Sequence, residues 1–309
     1  MTAGSTEPFA FAPAKINLTL RIGRKRPDGY HDLESLVVFA GIGDTLRLVP
    51  GASLSLDVDG PTGTQAGPAD DNLVVKATRA LQAHIPDLRT GHFHLTKSTP
   101  VAAGLGGGSS DAAAALRLIA RLNNLPADDQ RVMAAAKASG ADVPVCLDPK
   151  PRIMRGIGEI LSEPFDLPVL HAVLVNPGVP VPTGAVFGAL AAARAGSAPA
   201  IEGDPASRCV ESGKPSFDAL LDAVAASSND LEAPALSLFP AVNETLGALR
   251  GLPSCRLARM SGSGGTCFGL FETAGDAKDA AARLKRDHPD WWAQNTILGA
   301  AETSFQRSS

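Results

Sequence analysis

The segment Pro100-Val101-Ala102-Ala103-Gly104-Leu105-Gly106-Gly107-Gly108-Ser109-Ser110-Asp111 constrains this chain more than any other, because a run of alanines over residues 112–115 follows it directly. Glycine lets the backbone approach an anion with no side chain in the way, and it accepts dihedral angles that other residues resist. Alanine is the strongest helix former. The segment therefore reads as a glycine turn that opens a helix. The first amides of a helix have no partner within it, and its dipole places positive charge at the same spot. Phosphate is the ligand that suits such a turn.

Other readings of these glycines are weaker. A P-loop needs lysine straight after its last glycine, and none stands here. A dinucleotide fingerprint needs a third glycine where this chain has Ser109, and no acidic partner for a ribose is evident downstream. A plain helix cap by Ser109 or Ser110 would need fewer glycines, since each adds entropy lost on folding.

At 309 residues the chain is long enough for about two domains. Basic and acidic residues nearly balance (28 against 32), aromatics make up 5%, and no long basic run occurs, so a nucleic-acid surface is not expected. Cys146, Cys209, Cys255 and Cys267 form no C-x-x-C pair and have no histidine at a zinc spacing, so no structural metal is expected. They read as ordinary thiols of a reducing compartment. Residues 1–8 lack a charged start and an apolar core of a signal peptide, and no stretch is apolar enough to span a bilayer. A soluble, cytoplasmic protein is expected.

Residues 1–8 read as a polar tail. Strand patterning covers 9–22, with a break near Pro13, and then 33–39, 44–49 and 53–58, as in an antiparallel sheet. Asp70-Asp71-Asn72 caps a helix over 73–84, and a strand over 92–96 leads into the glycine turn. Helices follow over 110–122 and 128–139. Prolines 149, 151, 164 and 168 bracket a connecting region, which divides the chain into residues 1–165 and 166–309. Beyond it, 169–175 reads as an apolar strand and 191–216 largely as loop. Helices are expected over 217–226, 243–249 and 277–286. Residues 257–260, 261–265 and 267–271 read as strand, glycine turn and strand. Without a steady βαβ rhythm, a mixed α+β fold is favoured over a doubly wound parallel sheet.

Three further segments could carry chemistry. In Pro13-Ala14-Lys15-Ile16-Asn17-Leu18, Lys15 and Asn17 share one face of a strand and Ala14, Ile16 and Leu18 the other. A solvated lysine face is the commoner meaning of such a pattern. In Gly140-Ala141-Asp142-Val143-Pro144-Val145, apolar neighbours could partly desolvate Asp142, whose carboxylate would then need a cation such as Lys15. A turn or cap aspartate is the plainer reading, with Val143 extended before its proline. In Asp28-Gly29-Tyr30-His31, the only tyrosine of the chain stands beside a histidine, which suits stacking on a flat base or equally a hairpin rim.

Together these segments resemble the GHMP kinase superfamily, which includes galactokinase, homoserine kinase and mevalonate kinase. Pro100 to Ser110 looks like its phosphate-binding motif, and Ser261-Gly262-Ser263-Gly264-Gly265 like its C-terminal glycine motif. The other three segments are similar to the branch whose substrate is a cytidine diphosphate methylerythritol of the non-mevalonate isoprenoid pathway. The resemblance spans residues 11–271. It implies a two-domain α+β kinase with the active site in the interdomain cleft, and transfer of the ATP γ-phosphoryl group to the substrate's 2-hydroxyl. Lys15 and Asp142 would be the catalytic pair. Residues 100–110 would cradle phosphate, with Asn72 and Lys97 near the adenine. Tyr30 and Phe187 would sandwich the cytosine, His31 would hydrogen-bond its edge, and Asn17 and Thr183 would line the methylerythritol diphosphate. ATP and Mg2+ are the implied cofactors. No protein group is assigned to the metal, although the Ser110 hydroxyl is a candidate. Ala102-Ala103 and the glycine-free Cys146–Pro151 segment depart from the family pattern. The other readings are a homoserine or mevalonate type of kinase and a non-catalytic nucleotide-binding protein of the same fold.

Overall fold

A computed structural model describes residues 8–194, 201 and 203–299. Residues 1–7 of the expected polar tail, and residues 195–200 and 202 of the expected loop, lie outside the described residues. The first half runs β1 (Phe9–Asn17), β2 (Arg21–Lys25), β3 (His31–Gly51), β4 (Ser55–Asp59), α1 (Leu73–His84), β5 (Thr90–Thr96), α2 (Gly107–Leu122), α3 (Gln130–Ser139), α4 (Val143–Leu147), β6 (Arg152–Gly156) and β7 (Ile160–Leu161). The second runs β8 (Leu170–Asn176), α5 (Thr183–Ala193), α6 (Pro205–Glu211), α7 (Phe217–Ala225), α8 (Glu232–Leu238), α9 (Pro240–Arg250), β9 (Leu257–Met260), β10 (Cys267–Phe271), α10 (Ala274–Asp287) and β11 (Trp292–Gly299).

The two halves share one 11-stranded sheet, whose longest path is β4-β5-β3-β11-β8-β10-β9. Strand β3 is its spine. One flank of β3 pairs with β2 and then β1; the other pairs in turn with β6, β11 and β5. The last strand, β11, bridges the halves by pairing with both β3 and β8. The fold is α+β, as the irregular order of elements implied.

Burial on both faces explains the apolar runs. Along β8, Val173 and Val175 join a core with α5, α8, α9 and α10, while Ala172 and Leu174 join another with α6 and α7. A strand covered on both faces reads as continuous hydrophobicity rather than alternation. A third core gathers α1, α2, α3 and α4 over β1, β3 and β5 around Phe39 and Phe93.

Several expectations need correction. Residues 33–39 and 44–49 are parts of one strand, because Gly41-Ile42-Gly43 runs through without a turn. At Gly43 a Cβ would stand 2.2 Å from the Ala12 carbonyl oxygen, so β1 can cross closely there only over glycine. The irregularity expected near Pro13 is a register shift between Pro13 and Lys15 within β1, and the strand itself ends at Asn17, with residues 18–20 leading to β2. Strand β4 pairs parallel with β5, so the sheet is not wholly antiparallel. Val143 opens helix α4 instead of an extended run, since Pro144 at the first turn sacrifices no internal hydrogen bond. Within 191–216, α5 continues to Ala193 and α6 forms where Asp204 caps the amides of Ala206 and Ser207. The Asp204-Pro205 pair is a helix-start signal that the alanine- and glycine-rich composition obscured.

Candidate active site

Two glycine turns meet backbone to backbone beside β1. A Cβ on Gly104, whose φ is +74°, would stand 2.4 Å from the Ser261 carbonyl oxygen and 2.8 Å from that of Gly264. The Thr266 amide donates to the Ala103 carbonyl at 3.0 Å. The Ser261 hydroxyl donates to the Gly104 carbonyl at 3.0 Å and accepts from the Asn17 amide at 3.1 Å. Residues 261–265, between β9 and β10, thus brace the loop that precedes α2.

Lys15 passes under this loop. Its amide donates to the Leu105 carbonyl at 2.8 Å. A Cβ on Gly106, with φ +58°, would lie 3.1 Å from Lys15 Cβ and Cε, so the glycine makes room for the lysine stem. Lys15 Nζ donates to Asp142 Oδ2 at 2.8 Å, across 127 positions of sequence. Asp142 occupies the cap position of α4, yet its carboxylate makes no capping hydrogen bond there. The lysine side chain is 5% exposed and the aspartate 36%, so the pair is charge-matched but open to the cleft on the carboxylate side. The solvated-face reading of Lys15 and the plain-cap reading of Asp142 both fail on this contact.

A buried charge cluster holds the loop from below. Lys97 Nζ hydrogen-bonds Asp44, and donates to Asp111 Oδ2 at 2.8 Å. Asp44 Oδ1 also accepts the amides of Ser98 and Thr99, at 2.6 Å and 2.9 Å. Burial alone would lower the Lys97 pKa, but the flanking Asp111 and Asp44 charges outweigh it and hold it above its usual value. Two carboxylates share one ammonium, and the Asp111 carboxyl holds its proton well above the usual carboxylate range. Burial, joined by the Asp44 charge, raises it to about 7 against the pull of Lys97.

The cleft above has a volume of about 950 Å³. It is lined by Lys15, Asn17, Tyr30, His31 and Asp142 from the first half and by Thr183 and Phe187 from the second. Of the expected phosphate loop, residues 102–104 and 106–109 face it, and Pro100, Val101, Leu105 and Ser110 do not. Ser110 is buried, and its hydroxyl donates to the Pro13 carbonyl at 2.6 Å. Neither adenine candidate lines the cleft. Asn72 is committed as the cap of α1, accepting from the Val74 amide, and Lys97 lies within the cluster just described. Leu73, beside Asn72, does line it. Sequence reasoning did not assign Lys25, Gly262 or Ser263, which also line the cleft. The Ser-Gly-Ser-Gly-Gly motif was the available signal for the last two.

Three aromatic side chains, Tyr30, His31 and Phe187, line the same cleft. Tyr30 is 57% exposed, and the rings of His31 and Phe187 lie 5.5 Å apart between centroids. His31 Nδ1 is 3.3 Å from the Gly23 carbonyl oxygen, which can only accept, so Nδ1 carries the proton of the neutral ring and Nε2 keeps a lone pair. Asn17 Nδ2 donates to Ser35 at 2.7 Å, which leaves the buried Asn17 Oδ1 as an acceptor with no partner among the described residues.

Residues 72–148 match the family described as GHMP kinases N terminal domain, and 211–290 the GHMP kinases C terminal family. The chain is 55% identical to a 4-diphosphocytidyl-2-C-methyl-D-erythritol kinase of Methylorubrum extorquens, over 93% of this chain and 97% of that one. It is 53% identical to the enzyme of the same name from Xanthobacter autotrophicus, over 94% and 98%. A crystal structure of 4-(cytidine 5'-diphospho)-2C-methyl-D-erythritol kinase superposes with a TM-score of 0.73 at 33% identity, covering 95% of this chain and all of that one. Homoserine kinase from Cytophaga hutchinsonii, at 18% identity and a TM-score of 0.63, shares the fold.

Ala102 has a φ of +52°, in the left-handed region that costs a non-glycine residue about 1–2 kcal/mol. Ala102→Gly should raise stability by about 0.5–1 kcal/mol, since the strain relieved exceeds the ~0.4–1 kcal/mol of added unfolded-state entropy. Urea unfolding reads this directly, and a destabilised variant would contradict it. The charge cluster sets a second expectation. Asp111 binds a proton with a pKa of about 7 when folded and 3.8 when unfolded, so the native state holds a proton that the unfolded chain has released between these values. Its contribution to stability is present below the unfolded value and is lost as pH rises through the folded one. Asp111→Asn, neutral throughout, should therefore gain on the wild type as pH rises from about 4 to 7. Parallel stability curves for the two proteins would refute the assignment.

Proposed function

The chain belongs to the GHMP kinases, and within them to the 4-diphosphocytidyl-2-C-methyl-D-erythritol kinases; from that premise we propose how its own residues divide the work of phosphoryl transfer. The reaction moves the γ-phosphoryl group of ATP to the 2-hydroxyl of 4-diphosphocytidyl-2-C-methyl-D-erythritol, a step of isoprenoid biosynthesis. The likeness to homoserine and mevalonate kinases, at 11–18% identity, is one of fold alone. The observation that carries the division of roles is the Lys15–Asp142 contact, set in one cleft with the start of α2 and with Tyr30, His31 and Phe187.

Asp142 is the general base. Its carboxylate accepts the hydroxyl proton as the alcohol oxygen attacks the γ-phosphorus and ADP departs. Lys15 orients that carboxylate through its 2.8 Å hydrogen bond and places a positive charge beside the transferring group. The amides of Gly107, Gly108 and Ser109 are first-turn donors of α2 and suit the ATP phosphates. There is little covalent chemistry for the protein to perform, so alignment and fixed positive charge supply most of the acceleration. Mg2+ accompanying ATP would neutralise charge on the phosphate oxygens. A hard cation takes oxygen ligands, and the cleft offers it the Asp142 carboxylate and the Ser109 hydroxyl.

Tyr30 and Phe187 stack on the cytosine. The Nε2 lone pair of His31 accepts from the exocyclic amine, a donor that uracil lacks. The unpartnered Asn17 Oδ1 suits a hydroxyl of the methylerythritol, and the Thr183 hydroxyl, paired with Ser263 at 2.8 Å, suits its diphosphate. Asn72 and Lys97 act on nucleotide binding only through the elements they anchor. Residues 1–165 and 166–309 each contribute a wall, which supports reading them as two domains around the site. A cytoplasmic setting fits the supply of ATP and the four free cysteines; among the described residues no helix is long and apolar enough to cross a membrane.

Asp142→Asn should fold normally and lose about 10²–10⁴-fold in kcat. An unchanged kcat in the folded variant would remove Asp142 as the base. Tyr30→Ala should raise KM for the cytidine substrate far more than KM for ATP. Equal effects on the two constants would place Tyr30 outside the cytosine site.

A further inference from the structure

Away from the cleft, on the outer face of the β4–β5 pair, two histidines and a carboxylate converge without a role in the reaction. The alternation of β5 sends Phe93 and Leu95 into the core and leaves His92 and His94 half-buried on the other side. The parallel register of β4 sets Ser55 opposite His92 and Asp57 opposite His94, on that same outer face. His92 Nε2 lies 3.2 Å from Asp57 Oδ2, and ligand atoms of Asp57, His92 and His94 all fall within 4.8 Å of one another.

We propose that Asp57, His92 and His94 form a binding site for a divalent transition-metal ion of the zinc type, which clamps edge strand β4 onto β5. A zinc ion with bonds of about 2.0–2.2 Å sets neighbouring tetrahedral ligands about 3.3–3.5 Å apart. The His92–Asp57 separation of 3.2 Å lies just under that spacing, and a His94 ring nitrogen stands within 4.8 Å of both. The Ser55 hydroxyl lies 2.7 Å from His92 Nδ1, on the side of the ring away from Asp57. With Nδ1–H donating to Ser55, Nε2 keeps its lone pair for the metal, which is the usual supporting contact behind a ligating histidine. Two imidazoles select a zinc-like ion over Mg2+ or Ca2+, which take oxygen ligands, so the site would not compete for the ion that accompanies ATP. Arg47 of β3 is the register partner of His94 across the other edge of β5.

The consequence of the clamp is local. Beyond Asp59 the chain stays bound to the start of the phosphate-loop segment, with the Lys97 amide donating to the Asp59 carbonyl at 2.9 Å and the Thr62 amide to the Lys97 carbonyl at 3.2 Å. A metal on Asp57 and His94 would stiffen the β4–β5 pair that leads into these bonds.

The test is titration of the full-length protein with Co2+, whose d–d absorption reports the ligand set. We expect a visible band that saturates at one equivalent and is displaced by Zn2+. Asp57→Ala and His94→Ala should each weaken it at least ~10-fold, and Ser55→Ala by ~10-fold through the freed His92 ring. The kcat of all three variants with ATP should stay at the wild-type value, because none of these residues lines the cleft. The proposal is overturned if no saturable band forms. It is equally overturned if the band survives in the His92→Ala/His94→Ala double variant, or if it carries the charge-transfer absorption of a cobalt thiolate, which would assign the metal to the cysteines.

Discussion

The site depends on how closely two backbone turns can approach. The loop before α2 and the turn between β9 and β10 touch through Gly104, Ser261 and Gly264 at distances that exclude a side chain. That contact fixes the direction of α2, and so the direction of its unpaired amides. It also ties the second half of the chain to the phosphate end of the first. The Ser261 hydroxyl extends the contact to Asn17 on β1, so the strand that carries Lys15 shares the same anchor.

Two ion clusters flank this anchor and behave differently because of burial. Lys97 with Asp44 and Asp111 is enclosed, and its many hydrogen bonds offset the cost of removing charge from water. Such a cluster ties the loop to β3 and to the start of α2. Lys15 with Asp142 is enclosed only at the ammonium end. The carboxylate keeps one side toward the cleft, where a hydroxyl can reach it. A single lysine–aspartate pattern is thus enclosed in one place and open to the cleft in the other, and the difference lies in what covers the carboxylate.

The phosphate loop carries one uncommon choice. Ala102 holds a left-handed conformation where glycine would be relaxed. The strain is local and modest, and the backbone bonds at Ala103 and Gly104 hold the loop against it.

Much of this protein was legible in its residues alone. The glycine loop opening an alanine-rich helix, the Asn72 cap, the strand–turn–strand over 257–271 and the α+β class all follow from local rules of conformation and periodicity. The family resemblance pointed to Lys15 and Asp142. Local rules could not show that these residues touch, since nothing within a few positions of either encodes a partner 127 residues away. Nor could they show that Ser110 turns inward, that Lys97 is spent on two carboxylates, or that β3 is a single strand serving five partners. Each of those outcomes is set by burial and by the pairing of distant strands. The chain's own sequence determined which groups were available and where helices could start; the closing of the sheet decided which charges were covered and which were left facing the cleft.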